Sequence, residues 1–168
     1  AEAIRARGGS ATAAPLDVTA LDVTARFIAA EGPFDILVNN AGTNRPAPFA
    51  EVSATDFDAI FDLNVRAAFF VAQAVARGLL AAGLPGSIIN MSSQMGHVGA
   101  SNRAVYCASK HSMEGFTKAM AIELGPHGIR VNTVCPTFIE TELTSSYFAD
   151  AAFRASVLAK IKTGRLGT

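Results

Sequence analysis

Tyr106 and Lys110 are the pair of side chains in this sequence best suited to acid–base chemistry. They lie four residues apart in a segment with a helical pattern, so both side chains project from one helix face. A phenol ordinarily has a pKa of about 10, and a neighbouring ammonium group stabilises the phenolate and lowers that value. The pair is therefore a plausible proton donor and acceptor near neutral pH. The alternative is an ordinary solvated helix face, which has the same spacing.

Ser93 precedes this pair and follows a short apolar run that has the pattern of a buried strand. A hydroxyl group at the end of a strand can donate a hydrogen bond to a substrate oxygen. The alternative is a turn serine that caps the strand end, which is a common role for this residue type.

The elements that must position these groups alternate along the chain, which predicts an α/β fold with a mainly parallel sheet. A capping-box-like start at Ser53 to Asp56 opens a long, mostly apolar helix, and residues 1–9 have the pattern of a helix end. The predicted strands cover residues 10–18, 34–38, 88–91 and 129–134, and the predicted helices cover about 19–30, 53–82 and 104–124, with a mainly helical tail over 140–168.

Polar or small residues follow each predicted strand. In an open α/β sheet, ligands bind just beyond the carboxyl ends of the strands. The sequence therefore predicts a binding site where these strand ends meet. The four strand ends are Asp17-Val18, Asn39-Asn40-Ala41-Gly42, Ser92-Ser93 and Pro136-Thr137.

These residues, in this order, resemble the short-chain dehydrogenase/reductase family, and the resemblance extends over essentially the whole chain. The family implies a doubly wound, Rossmann-type parallel sheet in a single domain over residues 1–168. The matching features are Asn39-Asn40-Ala41-Gly42, Asn64 inside the long helix, Ser93, Tyr106, Lys110, the run from Gly125 to Asn132, and the segment at Pro136.

The resemblance also implies a reaction and a role for each site residue. A secondary alcohol and a ketone would be interconverted by hydride transfer with NAD or NADP. Tyr106 would exchange the proton, Lys110 would lower its pKa and bind the nicotinamide ribose, Ser93 would orient the substrate oxygen, and Asn64 would hold a water. The residues expected at the cofactor are Asp17, Val18, Asn40, Ala41, Gly42, Tyr106, Lys110, Pro136, Ile139 and Thr141.

Two departures from the family pattern shape the expectations. Pro136-Thr137 replaces the usual Pro-Gly and, with Ser92-Ser93-Gln94 and Tyr106-Cys107, resembles carbonyl- and xylulose-reductase-like members, so a polyol, sugar ketose or small carbonyl compound is the expected substrate. The glycine-rich fingerprint that follows the family's first strand has no match in these residues. We therefore expect a sheet that lacks its first two strands and its last strand, truncated at both ends.

Other polar residues near the predicted site have weaker assignments. Gln94 and His97 could line the substrate pocket, although a loop histidine is more often simply solvated. The histidines lack metal-ligand spacing with each other or with the cysteines, so no metal site is expected. The two cysteines are interpreted as reduced thiols, which favours a cytoplasmic protein.

The composition limits the function classes. The chain has 168 residues, of which 50% are hydrophobic, and its 14 basic and 14 acidic side chains cancel, which argues against a disordered chain and an electrostatic nucleic-acid partner. The uninterrupted apolar runs are too short to predict a membrane span. The apolar helices over 53–82 and 104–124 predict a homodimer or homotetramer. The alternatives are a 3-oxoacyl thioester reductase of the same family and a non-catalytic or inactive fragment.

Overall fold

A computed structural model describes residues 1–141, 144 and 148–167, and its centre is a three-stranded parallel sheet. The strands are β1 (Ile36–Asn39), β2 (Gly86–Met91) and β3 (Ile129–Val134), in the order β1-β2-β3. Ile36 pairs with Ser87, and Gly86 pairs with Ile129. The predicted α/β class and parallel sheet are confirmed.

Helices connect and cover these strands, and the predicted helix over 104–124 is reproduced at both ends. Short 3₁₀ turns occur at Phe49–Glu51, Gln94–Gly96 and Gly125–His127. The helices are α1 (Glu2–Arg5), α2 (Leu21–Glu31), α3 (Ala54–Phe61), α4 (Ala68–Ala82), α5 (Ala104–Leu124) and α6 (Ala151–Leu158), and a π-helical segment (Asp62–Ala67) joins α3 to α4.

The start and the end of the long helical stretch follow from local chemistry. At its start, the Ser53 hydroxyl accepts a hydrogen bond from the Asp56 backbone N–H (3.1 Å) and donates one to the Asp56 carboxylate (2.8 Å). This is the predicted capping interaction. At its end, Gly83 adopts a left-handed conformation with φ of 64°, which a glycine reaches without strain.

The main hydrophobic core lies where α4 packs against α2 and the sheet. Residues of α4 supply most of it, with Ile88 of β2 and Ile129 of β3 on the sheet side. By length and composition, Ala54–Ala82 could cross a membrane, with a mean hydropathy of 1.4. A core helix has the same composition, and α4 occupies that position here.

The predicted strand over residues 10–18 is wrong. These residues form no strand, and none of them pairs with β1. A strand requires a hydrogen-bonded neighbour, and among the described residues β1 has β2 alone as its partner. Ile36 and Val38 of β1 are accordingly 64% and 52% exposed.

The predicted helical tail is only partly correct. Within the described part of residues 140–168, the helix α6 is followed by turns, and Gly167 forms a single parallel bridge with Ile139. A small second cluster of buried residues, Phe148, Val157 and Leu166, holds this segment together. Residues 142, 143, 145–147 and 168 lie outside the described residues, so the prediction remains untested there.

Candidate active site

Tyr106 and Lys110 lie one turn apart on α5, as predicted. The Lys110 ammonium nitrogen is 5.7 Å from the centre of the Tyr106 ring, within the range of a cation–π contact. It also donates a hydrogen bond of 2.7 Å to the backbone carbonyl of Met91, at the end of β2. The end of the central strand therefore fixes the position of the lysine beside the tyrosine.

Burial sets the charge state of Lys110. The residue is 5% exposed, and removal from water lowers the pKa of its ammonium group from 10.5 to about 8. The nearby Cys135 and Glu114 act in the opposite direction but do not outweigh burial. Near neutral pH the side chain is still mostly charged, and it loses its proton more readily than a surface lysine.

Asn64 sits in the π-helical segment with its side chain completely buried. Its amide oxygen accepts a hydrogen bond from the Thr43 N–H (2.8 Å), and its amide nitrogen donates to the Thr43 carbonyl (2.9 Å) and the Ser109 hydroxyl (3.1 Å). Asn64 thus clamps the loop after β1 onto α5. π-helical segments occur frequently at functional sites.

Gly42 lies in that clamped loop, where the backbone comes close to Asn64 and Lys110 and leaves little room for a side chain. A Cβ atom added at Gly42 would lie 3.3 Å from the Asn64 amide oxygen and 3.9 Å from the Lys110 nitrogen. Asn40, Ala41 and Gly42 are exposed at the end of β1. The exposed backbone of this loop therefore passes close to the buried Lys110 side chain.

Ser93 follows β2 and forms the start of a 3₁₀ turn. Its hydroxyl oxygen accepts a hydrogen bond of 3.2 Å from the Met95 N–H, so the capping role does occur. The same bond leaves the hydroxyl hydrogen of Ser93 available to donate. In this geometry Ser93 can therefore cap the turn and also donate a hydrogen bond to a substrate oxygen.

A cavity of about 260 Å³ brings Ser93, Gln94 and Tyr106 together, but not His97. It lies where the loops after the three strands meet the start of α5. It is lined by Gly42, Thr43, Asn44, Ser93, Gln94, Met95, Arg103, Tyr106, Thr137, Phe138, Thr144 and Phe153.

The loop after β3 is tied to the turn after β2. The Pro136 carbonyl accepts a hydrogen bond from the Gln94 N–H (3.0 Å), and the Thr137 hydroxyl donates to the Gln94 side-chain oxygen (2.8 Å). Further along, Ile139 forms the bridge to Gly167, and the Thr141 N–H donates to the Thr144 hydroxyl (3.0 Å). The two hydrogen bonds to Gln94 therefore hold the Pro136-Thr137 segment against the turn after β2.

Asp17 and Val18 lie before α2, and their side chains contact nearby residues and the main core. The Asp17 carboxylate accepts hydrogen bonds from the Thr19 hydroxyl (2.7 Å) and backbone N–H (2.9 Å), which lower the pKa of that exposed carboxyl. Val18 packs partly buried against the main core. Neither residue lines the cavity beside Tyr106.

His97 lies outside the lining of that cavity and contacts a different group. Its Nε2 atom is 3.3 Å from the Cys135 sulfur, and Cys135 donates a hydrogen bond of 3.2 Å to Glu114. This cluster was not predicted, because His97 and Cys135 are 38 residues apart and their spacing gives no sign of a contact.

A buried amide network was also missed. The Asn39 side chain donates to the Asn90 side chain (3.0 Å) and to the Ala68 carbonyl (2.8 Å), and Asn90 donates to the Thr117 hydroxyl (2.8 Å). An asparagine within each of two apolar strand runs was the available signal. Buried polar groups require hydrogen-bond partners, and in this network the Asn39, Asn90 and Thr117 side chains act as partners for one another.

Comparison with known proteins identifies the family to which this chain belongs. Residues 1–152 match the short chain dehydrogenase family, and the chain belongs to it. The chain is 42% identical to L-xylulose reductase of Homo sapiens over 150 residues, which is 89% of this chain and 62% of that protein. It is 39% identical to gluconate 5-dehydrogenase of Gluconobacter oxydans (strain 621H), covering 96% of this chain and 64% of that protein.

Solved structures confirm the Rossmann-type fold. The crystal structure of a gluconate 5-dehydrogenase from Burkholderia cenocepacia J2315, in complex with NADP and tartrate, superimposes with a TM-score of 0.90. The two sequences are 35% identical, and the match covers 99% of this chain and 66% of that one. The chain therefore has part of a Rossmann fold and spans about three fifths of the curated relatives' length.

Proposed function

We propose that this protein is an NAD(P)-dependent oxidoreductase that interconverts a secondary alcohol and a ketone. The observation that carries the proposal is the position of Ser93 and Tyr106 on one cavity, with Lys110 held beside the tyrosine ring. The names of the relatives, reductases and dehydrogenases of sugars and sugar acids, support the same class of reaction.

The loop after β1 would suit a nicotinamide cofactor, since its exposed backbone at 40–42 passes close to the Lys110 ammonium. Gly42 and Lys110 would hold the ribose side, and Pro136, Ile139 and Thr141 would lie on the nicotinamide side. The bound cofactor supplies or accepts the hydride. NADP is present in the crystal structure of the gluconate 5-dehydrogenase, which supports NADP as the first cofactor to test.

The protein's own groups would manage the proton and the substrate oxygen. In the reduction, the Ser93 hydroxyl donates a hydrogen bond to the carbonyl oxygen and Tyr106 transfers its proton to that oxygen. The Lys110 ammonium stabilises the phenolate that remains, because opposite charges attract more strongly in a partly dehydrated site than in water. Asn64 keeps the loop after β1 in place and would position a water next to Lys110. In the oxidation, each proton transfer runs in reverse.

The substrate we propose first is a small neutral ketose or polyol. A cavity of about 260 Å³ with the polar groups of Ser93, Tyr106 and Gln94 suits a molecule of that size. L-xylulose is the natural test compound, given the relative of that name.

A sugar acid is the second candidate, and Arg103 favours it. Arg103 lines the same cavity, and a guanidinium group could bind a carboxylate there. Arg103→Gln should raise KM for a ketogluconate by at least about ten-fold, the loss expected for a hydrogen-bonded charge pair, and leave KM for L-xylulose within two-fold. Equal effects on both substrates would exclude Arg103 as a carboxylate ligand.

The assembly and location are further proposals. Aromatic side chains of α4 and α5 meet edge-to-face at Phe69 and Phe116, with ring centres 5.6 Å apart, and Phe69 and Phe70 are 37% and 40% exposed. We propose that a second copy of the chain covers this aromatic face in a homodimer or homotetramer. The reduced cysteines favour a cytoplasmic protein, and no nucleic-acid or membrane partner is proposed.

The proposal is tested by following NADPH absorbance with L-xylulose as substrate. Tyr106→Phe removes the exchanged proton and should lower kcat by at least about 100-fold while NADPH binding changes little. Ser112→Ala, on an outer part of the same helix, serves as the control and should retain full activity.

Two results would contradict the proposal. Undiminished activity of Tyr106→Phe would exclude the tyrosine as the proton donor. A folded chain that neither binds NADPH or NADH in a titration nor turns over substrate would favour the non-catalytic alternative for these 168 residues.

A further inference from the structure

Three potential metal ligands from separate parts of the fold meet beside the proposed active site. They are His97 in the turn after β2, Glu114 on α5 and Cys135 at the end of β3, and their ligand atoms all lie within 4.8 Å of one another. The imidazole nitrogen is 3.3 Å from the sulfur, the sulfur is 3.2 Å from one carboxylate oxygen, and the other carboxylate oxygen is 3.8 Å from the nitrogen.

These separations match those of ligands around one zinc ion. Zinc binds nitrogen and oxygen at about 2.0–2.2 Å and sulfur at about 2.3 Å in a tetrahedron, which places neighbouring ligand atoms about 3.4–3.6 Å apart. The three observed distances fall on either side of that range. The sulfur and the nitrogen approach different oxygens of the Glu114 carboxylate, so binding to one ion requires shifts of a few tenths of an ångström together with a small rotation of that carboxylate.

The ligand types favour zinc over the common alternatives. A thiolate and an imidazole are soft or borderline ligands that suit Zn²⁺, whereas Mg²⁺ and Ca²⁺ bind oxygen ligands. One carboxylate and one thiolate would together balance the two charges of the ion.

The surroundings provide both support and access. The Thr133 hydroxyl donates a hydrogen bond of 3.1 Å to the Glu114 oxygen that faces His97, and such outer contacts orient metal ligands. The His97 side chain is 52% exposed, whereas that of Glu114 is 9% exposed. The cluster is therefore open to solvent on the histidine side, which gives an ion a path inward and leaves a fourth position for water.

We propose that His97, Glu114 and Cys135 form a binding site for one Zn²⁺ ion. The ion would displace the thiol proton of Cys135 and complete its tetrahedron with a water molecule. It would join the turn after β2, helix α5 and the end of β3, which are the three elements that carry Ser93, Lys110 and Pro136. The proposal stands independently of the proposed reaction, because the ion is detected by binding alone.

The test is a titration of the chelator-treated, reduced protein with Zn²⁺ in competition with a chromophoric chelator. We expect one site per chain, with Cys135→Ser and His97→Ala each binding at least about ten-fold more weakly. Cys107→Ser and His127→Ala are the matched controls and should bind like the unmodified protein. His97→Ala changes a half-exposed side chain, so its folding is not at risk, and circular dichroism checks both variants.

A spectroscopic measurement identifies the ligands. Co²⁺ in place of Zn²⁺ should give a thiolate-to-cobalt charge-transfer absorption that disappears in Cys135→Ser. Zinc binding of equal strength in His97→Ala, in Cys135→Ser and in the unmodified protein would overturn the proposal. So would Co²⁺ binding without the thiolate absorption, because the three side chains would then form only a hydrogen-bonded cluster.

Discussion

Replacing Lys110 with methionine should make the protein's stability respond differently to pH. The pKa of Lys110 lies at about 8 because the ammonium is buried, against an ordinary value of 10.5. At about 1.4 kcal/mol for each pH unit, the folded state disfavours the charged form by about 3 kcal/mol. Methionine has a similar length and carries no charge, so Lys110→Met removes this cost.

The sign of the pH dependence follows from proton counting. Between about pH 8 and pH 10.5 the unfolded lysine holds a proton that the folded lysine has lost, so this group makes the protein more stable as pH rises. The Lys110→Met variant lacks this increase in stability with rising pH. Any stabilisation of the variant at pH 7 is reduced by the Met91 carbonyl, which loses its hydrogen-bond donor. The change with pH is therefore the sharper quantity.

The assay is urea unfolding of both proteins at several pH values from 7 to 11. Relative to Lys110→Met, the unmodified protein should gain about 3 kcal/mol over that interval. Lys118→Met, an exposed lysine on the same helix, is the control and should track the unmodified protein. A stability difference between Lys110→Met and the unmodified protein that stays constant with pH would refute the burial argument, whatever the activity of the variant.

Three further changes test other parts of the structure. Asn64→Leu should lower the free energy of unfolding by about 2 kcal/mol, measured by thermal unfolding, because the partly buried backbone N–H and carbonyl groups of Thr43 both lose their hydrogen bond to Asn64. Ser53→Ala should cost about 1 kcal/mol in the same assay through loss of the helix cap, and Ser53→Thr should restore most of it. Phe69→Ser should shift the assembly toward monomers in sedimentation velocity, and an unchanged sedimentation coefficient would rule the aromatic face out as the subunit contact.

The sequence predicted the elements whose pattern is local. The helix over 104–124 and the strands ending near Asn39, Met91 and Val134 have clear boundaries in glycine, proline and capping residues. Tyr106 and Lys110 on one helix face follow directly from their spacing. These parts were predictable because the information lies within a few residues of each element.

What the sequence did not predict depends on distant neighbours. Residues 10–18 have a strand-like composition, but a strand forms only where another strand can pair with it. The π-helical segment around Asn64 lies inside a mostly apolar pattern that predicts one continuous α-helix over 53–82. The meeting of His97 with Cys135 depends on β2 and β3 being neighbours in a parallel sheet, which places the segments after both strands at the same edge.

The π-helical segment has a consequence for the rotational phase of the long helix. An α-helix advances by about 100° per residue, so one residue more or fewer turns everything beyond it by that angle. α3 and α4 therefore keep a fixed angular offset that Asp62–Ala67 alone sets. A π-helical turn closes i→i+5 hydrogen bonds and so holds one residue more than an α-helical turn. Deleting a single residue there would therefore give a continuous α-helix that keeps α4 on the main core, while the Asn64 clamp on Thr43 would be lost. The extra residue of this segment thus serves the Asn64 clamp rather than the core.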